Sequence, residues 1–154
     1  MSESSQPVCL VIGAGDDTGG AIARAFAKEG YQACLVRRPR HGDALEKLAD
    51  SIRADGGTAH ALPTDARDED AMVALVEQIE SEIGPIEVAV FNIGANVNFP
   101  ITETTGRVYR KVWEMAAFSG FLMGREAAKF MIERGKGTIL FTGATASMRG
   151  GPGY

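Results

Sequence analysis

Residues 7–23 read PVCLVIGAGDDTGGAIA, which joins an apolar run, a glycine-rich turn and the start of a helix. The run at 8–12 is continuously apolar, as expected of a strand that is buried on both faces of a sheet. Residues 21–29 follow the apolar period of a helix, and Gly30 ends it. A strand that passes through glycines into a helix predicts the first βα unit of a parallel α/β sheet.

The rest of the chain repeats this alternation of short apolar runs and longer segments with a helical period. Further strands are predicted at 33–36, 59–62, 86–91 and 138–142, and further helices at 43–55, 68–83 and 107–133. Asp43 and Glu46 have the spacing of a capping box at the start of the second helix. The pattern predicts an α/β protein with a Rossmann-type, doubly wound parallel sheet in the order 3-2-1-4-5 and helices on both faces.

Composition and charge exclude several classes of function. The formal net charge is −4 and acidic and basic residues are interspersed, so the sequence offers no basic surface for nucleic acid. No apolar run approaches the roughly 20 residues of a membrane span, so we expect a cytoplasmic protein with a small-molecule partner. Cys9 and Cys34 each lie in an apolar run without further metal ligands nearby, which predicts two buried thiols and no metal site.

The glycine-rich turn is the clearest functional signal. Gly13, Gly15, Gly19 and Gly20 lie where the first strand meets the first helix. A diphosphate needs backbone N–H groups at close range and the positive end of a helix dipole, and side chains would obstruct both. The turn therefore predicts a site for the diphosphate of a dinucleotide, and the alternative is a tight turn that binds nothing.

The turn resembles that of the short-chain dehydrogenase/reductase family, whose usual form is TGxxxGxG, with Asp17 in place of the middle glycine. Asp65 is similar to the family's aspartate after strand three, which contacts the adenine, and residues 92–94 resemble the tail of its NNAG motif. Residues 137–142 and 150–153 resemble the family's fifth strand and the turn that follows. The resemblance and the adjoining charges together imply cofactor contacts from Gly13, Gly15, Asp17, Thr18, Gly19, Arg37, Arg38, Asp65, Asn92 and Gly94.

Two groups of charged residues favour different cofactors, NADP and NAD. Asp16 and Asp17 place negative charge near the expected adenosine ribose, which would repel the 2′-phosphate of NADP and favours NAD. Arg37 and Arg38 end the second strand, where an arginine commonly accepts that 2′-phosphate. We expect NADP in preference to NAD, and the alternative for these arginines is a solvated surface patch.

The resemblance implies hydride transfer between a nicotinamide and a carbonyl or alcohol, assisted by a tyrosine, a lysine, a serine and an asparagine. Ala144 stands at the serine position and Ala117 at the asparagine position, and the tyrosine position falls three residues beyond Tyr154. The catalytic residues are therefore unknown. One hypothesis is an NAD(P)-dependent oxidoreductase with these two positions replaced, and the other is a catalytically inactive NAD(P)-binding sensor or scaffold.

Two features bear on assembly and domain organisation. The segment at 107–133 is apolar around more than one face, with Trp113, Met115, Phe118, Phe121, Leu122 and Met123. Because the equivalent helix of the family packs in a subunit interface, we expect a homodimer or homotetramer. Since a doubly wound sheet normally covers its fifth strand, residues 1–154 are interpreted as a single nucleotide-binding domain, truncated after strand five, that is the N-terminal part of a longer domain.

Overall fold

The computed structural model describes residues 6–95 and 97–150 and contains one parallel sheet. Its strands are β1 (Val8–Ile12), β2 (Gln32–Arg37), β3 (Thr58–Pro63), β4 (Ile86–Phe91) and β5 (Thr138–Phe141). They are ordered β3-β2-β1-β4-β5, and all neighbouring strands pair in parallel. The fold class and the strand order predicted from the sequence are confirmed.

The helices lie between the strands in the sequence. They are α1 (Thr18–Lys28), α2 (Gly42–Ala54), α3 (Glu69–Gln78), α4 (Gly106–Trp113) and α5 (Ser119–Arg134). A π-turn at Ile79–Ile83 extends α3, and a second π-turn at Glu114–Phe118 joins α4 to α5. The helix predicted at 107–133 is therefore interrupted by a wider turn. No helix among the described residues is long and apolar enough to cross a membrane.

The hydrophobic core has two layers, one on each face of the sheet. Alternate side chains of β1 enter different layers: Leu10 packs in the layer that contains α3 and α5, and Val11 packs in the layer that contains α1 and α2. Every residue of β1 is completely buried. The continuous apolar run at 8–12 is thus explained by a central strand that is covered on both faces.

The two acidic residues expected at helix starts behave differently. The capping box at Asp43 is wrong, because a 3-10 turn at Pro39–His41 runs directly into α2 and leaves Asp43 inside the first helical turn. There its charge lies at the positive end of the helix dipole. Asp68 does cap its helix, since its carboxylate accepts a hydrogen bond of 3.0 Å from the backbone N–H of Ala71.

A partly buried ion pair fastens the end of α3 to the start of β4 and the end of α5. Glu80, in the first π-turn, accepts two hydrogen bonds from the guanidinium of Arg134, at 2.6 Å and 3.0 Å. The carboxylate also accepts from the backbone N–H of Ile86 at 3.0 Å, and Arg134 donates to the Ile86 carbonyl at 2.8 Å. Because the Glu80 side chain is only 8% exposed, this network fixes three elements at one point.

The two cysteines are completely buried, as predicted, and burial raises the pKa of each thiol to about 12. We expect neither thiol to react with a disulfide reagent at pH 8 while the chain is folded, because the thiolate is the nucleophile. Both should react at once in denaturant, which a colorimetric thiol assay with and without urea would measure. Rapid labelling of the folded chain would contradict the buried placement.

The raised pKa of the two thiols also determines how the stability of the fold changes at alkaline pH. Both thiols ionise near pH 9 when the chain is unfolded and only near pH 12 when it is folded. The unfolded state therefore releases protons first, and the contribution of these thiols to stability falls as the pH rises above 9.

Candidate functional site

A cleft of about 260 Å³ opens where the carboxyl ends of β1, β2, β3 and β4 meet. This is the edge at which ligands bind in open parallel sheets. The cleft is lined by Ile12, Gly13, Gly15, Val36, Arg37, Arg38, His41, Thr64, Asp65, Ala66, Arg67, Asn92, Ile93, Gly94 and Met115. Most of the predicted cofactor residues are thus brought together in one cleft, whereas Asp17, Thr18 and Gly19 lie beside it rather than in its lining.

The glycine-rich turn packs so closely against the end of β4 that side chains do not fit. Gly13 has a φ of +90°, and a Cβ there would lie 2.6 Å from the backbone oxygen of Asn92. A Cβ on Gly19 would overlap the carbonyl oxygen of Gly13 and lie 2.9 Å from the Cα of Ala14. The Asn92 amide donates a 3.3 Å hydrogen bond to the Gly13 carbonyl. The two glycines are therefore required by the backbone packing of the turn.

The first turn of α1 has free backbone donors beside this glycine-rich turn. The first helical hydrogen bond runs from the N–H of Ala21 to the carbonyl of Asp17 at 3.0 Å, so the N–H groups at 18–20 have no intrahelical partner. The Asp17 side chain is exposed and makes no capping hydrogen bond. Gly20 is confined as well, because a Cβ there would lie 2.6 Å from the Gly15 carbonyl oxygen. The arrangement suits an anion.

Arg37 extends from the end of β2 across the glycine-rich turn. A Cβ on Gly15 would lie 3.9 Å from the guanidinium carbon, so the arginine passes over a residue without a side chain. Its Nη1 atom lies 3.9 Å from a carboxylate oxygen of Asp16. The Arg37 side chain is 27% exposed and that of Asp16 is 80% exposed. The guanidinium thus lies beside Gly15, at ordinary contact distance from where a side chain would begin.

Further cations surround Arg37 on this side of the cleft. Partial burial, together with the neighbouring Arg40 and Arg67, lowers the pKa of Arg38, which nonetheless stays charged at neutral pH. Partial burial and the positive charge of Arg37 lower the pKa of His41, so this imidazole is neutral at pH 7. The cations that line the cleft outnumber its only acidic residue, Asp65, which favours an anionic occupant.

Asp65 and Arg67 form a two-pronged ion pair at the β3 end of the cleft. Arg67 donates from Nε to one carboxylate oxygen at 2.9 Å and from Nη2 to the other at 2.6 Å. Its backbone N–H adds a third hydrogen bond at 3.1 Å. These hydrogen bonds hold the pKa of Asp65 below its usual range. A carboxylate offers about four acceptor positions, so one remains for a donor in the cleft.

Sequence reasoning missed several residues of the cleft. His41 and Arg67 follow β2 and β3, and the Asp-x-Arg spacing of Arg67 from Asp65 was an available signal. Met115 reaches the cleft from the second π-turn, and no pattern in the sequence indicated that turn. Their charge and bulk complete the walls of the cleft.

The two alanines that the family resemblance aligns with catalytic positions lie outside the cleft lining. Ala117 is exposed in the second π-turn, and Ala144 is exposed after β5. The hydroxyl of Ser147, which is near Ala144, donates to the Ala144 carbonyl at 2.6 Å. This is a local turn contact of the kind expected for serine. Within the described ranges 6–95 and 97–150, no group of three His, Cys, Asp or Glu side chains could hold a metal.

Comparison with known proteins assigns the chain to a family. Residues 7–154 match the family model described as short chain dehydrogenase. A fatty acyl-CoA reductase of Mycobacterium tuberculosis is 34% identical over 133 residues, which cover 85% of this chain and 45% of that protein. The chain belongs to the short-chain dehydrogenase/reductase family, a family of NAD(P)-dependent oxidoreductases. It spans about half the length of the curated relatives it matches.

Solved structures agree in fold. A short-chain dehydrogenase from Rhodopseudomonas palustris has a TM-score of 0.89 and 51% identity over 96% of this chain and 68% of its own. An actinorhodin polyketide ketoreductase with NADPH has a TM-score of 0.89 and 27% identity, over 96% of this chain and 57% of its own. A 7α-hydroxysteroid dehydrogenase complexed with NADH and 7-oxo glycochenodeoxycholic acid has a TM-score of 0.88 and 26% identity, over 97% of this chain and 57% of its own. The neighbours therefore include complexes of both cofactors.

Proposed function

We propose that the chain binds NADP or NAD in the cleft at the carboxyl edge of its sheet. The observation that carries this proposal is the glycine-rich turn, where Cβ atoms at positions 13, 19 and 20 would collide with backbone. A cradle without side chains next to free helix N–H groups fits a diphosphate. The proposed contacts are Gly13, Gly15, Asp17, Thr18 and Gly19 at the diphosphate, Arg37 and Arg38 at the ribose, and Asp65, Asn92 and Gly94 at the adenosine.

NADP is the cofactor that we propose first. Arg37 and Arg38 line the cleft together, and a guanidinium pairs well with a phosphate dianion. NAD stays the alternative because Asp16 approaches Arg37 and offers a carboxylate to a ribose hydroxyl.

The whole protein is proposed to be an oxidoreductase that acts on a carbonyl or alcohol. Bound NADP or NAD would supply or accept the hydride. Gly94 and Met115 also border an adjoining hollow whose other walls are mainly apolar: Ala95, Val97, Phe99, Val108, Lys111 and Val112. This hollow suits an apolar small molecule, which is consistent with the acyl, polyketide and steroid compounds in the relatives' names.

The binding proposal is tested by calorimetric titration of the chain with NADP, NADPH, NAD and NADH. We expect saturable binding of at least one pair and tighter binding of the NADP pair. Arg37→Gln should weaken NADP about tenfold. Arg24→Gln, which removes an exposed arginine outside the cleft, serves as the control. If none of the four dinucleotides bound, the proposed function would be wrong.

A cofactor-binding protein without chemistry is the second candidate, and Ala117 and Ala144 favour it. Neither methyl group can donate a hydrogen bond to a reacting oxygen. The two candidates are distinguished by turnover of the whole protein with a panel of ketones, aldehydes and alcohols. Tight cofactor binding without turnover would favour the sensor or scaffold, and turnover would favour the oxidoreductase.

Assembly through the outer face of α4 and α5 is also proposed. Trp113 and Phe121 are 47% and 54% exposed and stack on either side of Phe118, with Arg125 over the Phe121 ring. Aromatic side chains of this kind are enriched in protein interfaces. A homodimer or homotetramer that buries these aromatic side chains is proposed. The cytoplasmic location is a separate prediction, which rests on the sequence alone.

Phe121→Glu is expected to weaken self-association at least tenfold, because it would bury a charge in the proposed interface. Ala25→Glu is the matched control, since Ala25 is exposed on α1, which packs on the opposite face of the sheet. Sedimentation velocity over a range of concentrations measures the association constant. Equal effects of the two variants, or a wild-type chain that stays monomeric, would contradict the proposed interface.

Residues 1–154 are proposed to be the cofactor-binding, N-terminal part of a longer domain. The proposal rests on the relatives, because the chain covers 45–53% of the first three. In addition, the β5 side chains Leu140 and Phe141 are 46% and 58% exposed, and further elements could cover them.

A further inference from the structure

We infer that Asp16 and Arg37 form a paired selector that admits both cofactors, with Asp16 holding the 2′-hydroxyl of NAD and Arg37 holding the 2′-phosphate of NADP. The inference rests on the proposed binding of a dinucleotide in the cleft. Asp16, in the glycine-rich turn, then supplies the acidic group that is absent from the end of β2. Asp16 then opposes the cofactor that Arg37 favours, whereas Arg37 adds little to the binding of the cofactor that Asp16 favours.

The geometry places both charged groups at one point. Arg37 Nη1 and Asp16 Oδ1 are 3.9 Å apart, so a ribose substituent that reaches one of them lies close to the other. On its way the guanidinium passes beside Gly15, about 3.9 Å from where a Cβ would be. Arg37 reaches the point from β2 and Asp16 from the turn between β1 and α1.

The two side chains differ in their freedom to move. The Arg37 side chain is only 27% exposed, and it starts from β2, where the Arg37 carbonyl accepts a hydrogen bond of 2.9 Å from the backbone N–H of Thr64. The Asp16 side chain is 80% exposed and lies in a turn. An incoming phosphate can therefore displace the carboxylate into solvent, whereas the arginine stays at the site.

The chemistry of the two cofactors then sets opposite effects. A 2′-hydroxyl is a donor, so the Asp16 carboxylate can accept from it, whereas a 2′-phosphate is a dianion that the carboxylate repels. The guanidinium of Arg37 attracts the phosphate and gains little from a neutral hydroxyl. A neutral residue at position 16 should thus improve NADP binding and impair NAD binding at the same time.

The test is calorimetric titration of the chain and its Asp16→Asn variant with NADP and with NAD. We expect the affinity for NADP to rise about fivefold and that for NAD to fall about threefold, so that selectivity shifts by at least tenfold. Higher salt should shrink the gain for NADP, because an exposed carboxylate is screened. Asp43→Asn is the matched control, since it removes the same charge from an exposed residue outside the cleft lining.

Each outcome has one meaning. Opposite changes for the two cofactors in Asp16→Asn, with both within twofold in Asp43→Asn, support the selector. Equal gains for NADP in both variants would show a general charge effect and overturn it, as would unchanged selectivity in Asp16→Asn. If the wild-type chain bound no dinucleotide, the proposed function would fail first, and the selector with it.

Discussion

Gly19→Ala is expected to weaken cofactor binding by about a hundredfold or more, the largest effect of any substitution in the glycine-rich turn. The new methyl group would overlap the carbonyl oxygen of Gly13 and press on Ala14, which are both backbone. The turn must therefore move away from α1, and the free N–H groups at 18–20 lose their common direction. We also expect a loss of about 1–3 kcal/mol in the free energy of unfolding from the overpacking.

Gly106→Ala is the matched control for this prediction. Gly106 is the first residue of α4, and a Cβ there would meet only the far end of Arg110, at 3.8 Å. Alanine is the better helix former, so the control should be neutral or slightly stabilising. Calorimetric titration and urea unfolding of both variants are the measurements. Wild-type affinity in a folded Gly19→Ala chain would refute the role given to the turn.

Glu80→Ala is expected to lower the free energy of unfolding by about 3 kcal/mol. The substitution leaves the backbone N–H of Ile86 without its acceptor, which alone costs about 1–3 kcal/mol. It also leaves the Arg134 guanidinium without its carboxylate partner, a cost that water reduces because Arg134 is 30% exposed. Urea unfolding followed by circular dichroism gives the difference, provided that the slope of the transition stays constant.

An exposed ion pair nearby provides the comparison. Lys136 pairs with Glu87 at 2.8 Å, also between the region after α5 and β4, but the lysine is 68% exposed. Lys136→Ala should cost less than about 1 kcal/mol. If Lys136→Ala cost as much as Glu80→Ala, then burial would not be what distinguishes the two pairs.

Much of the fold could be predicted from the sequence because the layers of a parallel sheet impose strong patterns. The run at 8–12 is apolar throughout since β1 is central and covered on both faces. The edge strand β5 was also found, one residue longer than the structure has it. Helix starts were less predictable, because the first turn of α2 depends on the preceding Pro39–His41 turn rather than on Asp43.

The site could be predicted where backbone geometry determines the residue type. The packing of Gly13 and Gly19 leaves no space for a side chain, and so their positions carried a readable signal. The residue types of the side chains that complete the cleft are not determined by backbone geometry in this way. Arg67 lines the cleft through a local ion pair with Asp65, whose Asp-x-Arg spacing is only a weak signal, and Met115 lines it through a π-turn that no sequence pattern indicates. The family resemblance gives Ala117 and Ala144 no catalytic role, so turnover measurements decide whether the protein is an active enzyme.

The π-turn at Glu114–Phe118 has a consequence for how this segment tolerates changes in length. A π-turn holds one residue more than an α-helical turn, and each residue of an α-helix rotates the chain by about 100°. The wider turn takes up this extra residue locally, so the faces of α4 and α5 keep the relation that a continuous α-helix with one residue fewer would give them. A deletion of a single residue here should restore a continuous helix with Leu122 still in the core, and should remove the bulged backbone from which Met115 reaches the cleft. The junction should therefore tolerate the loss of one residue better than an uninterrupted helix would.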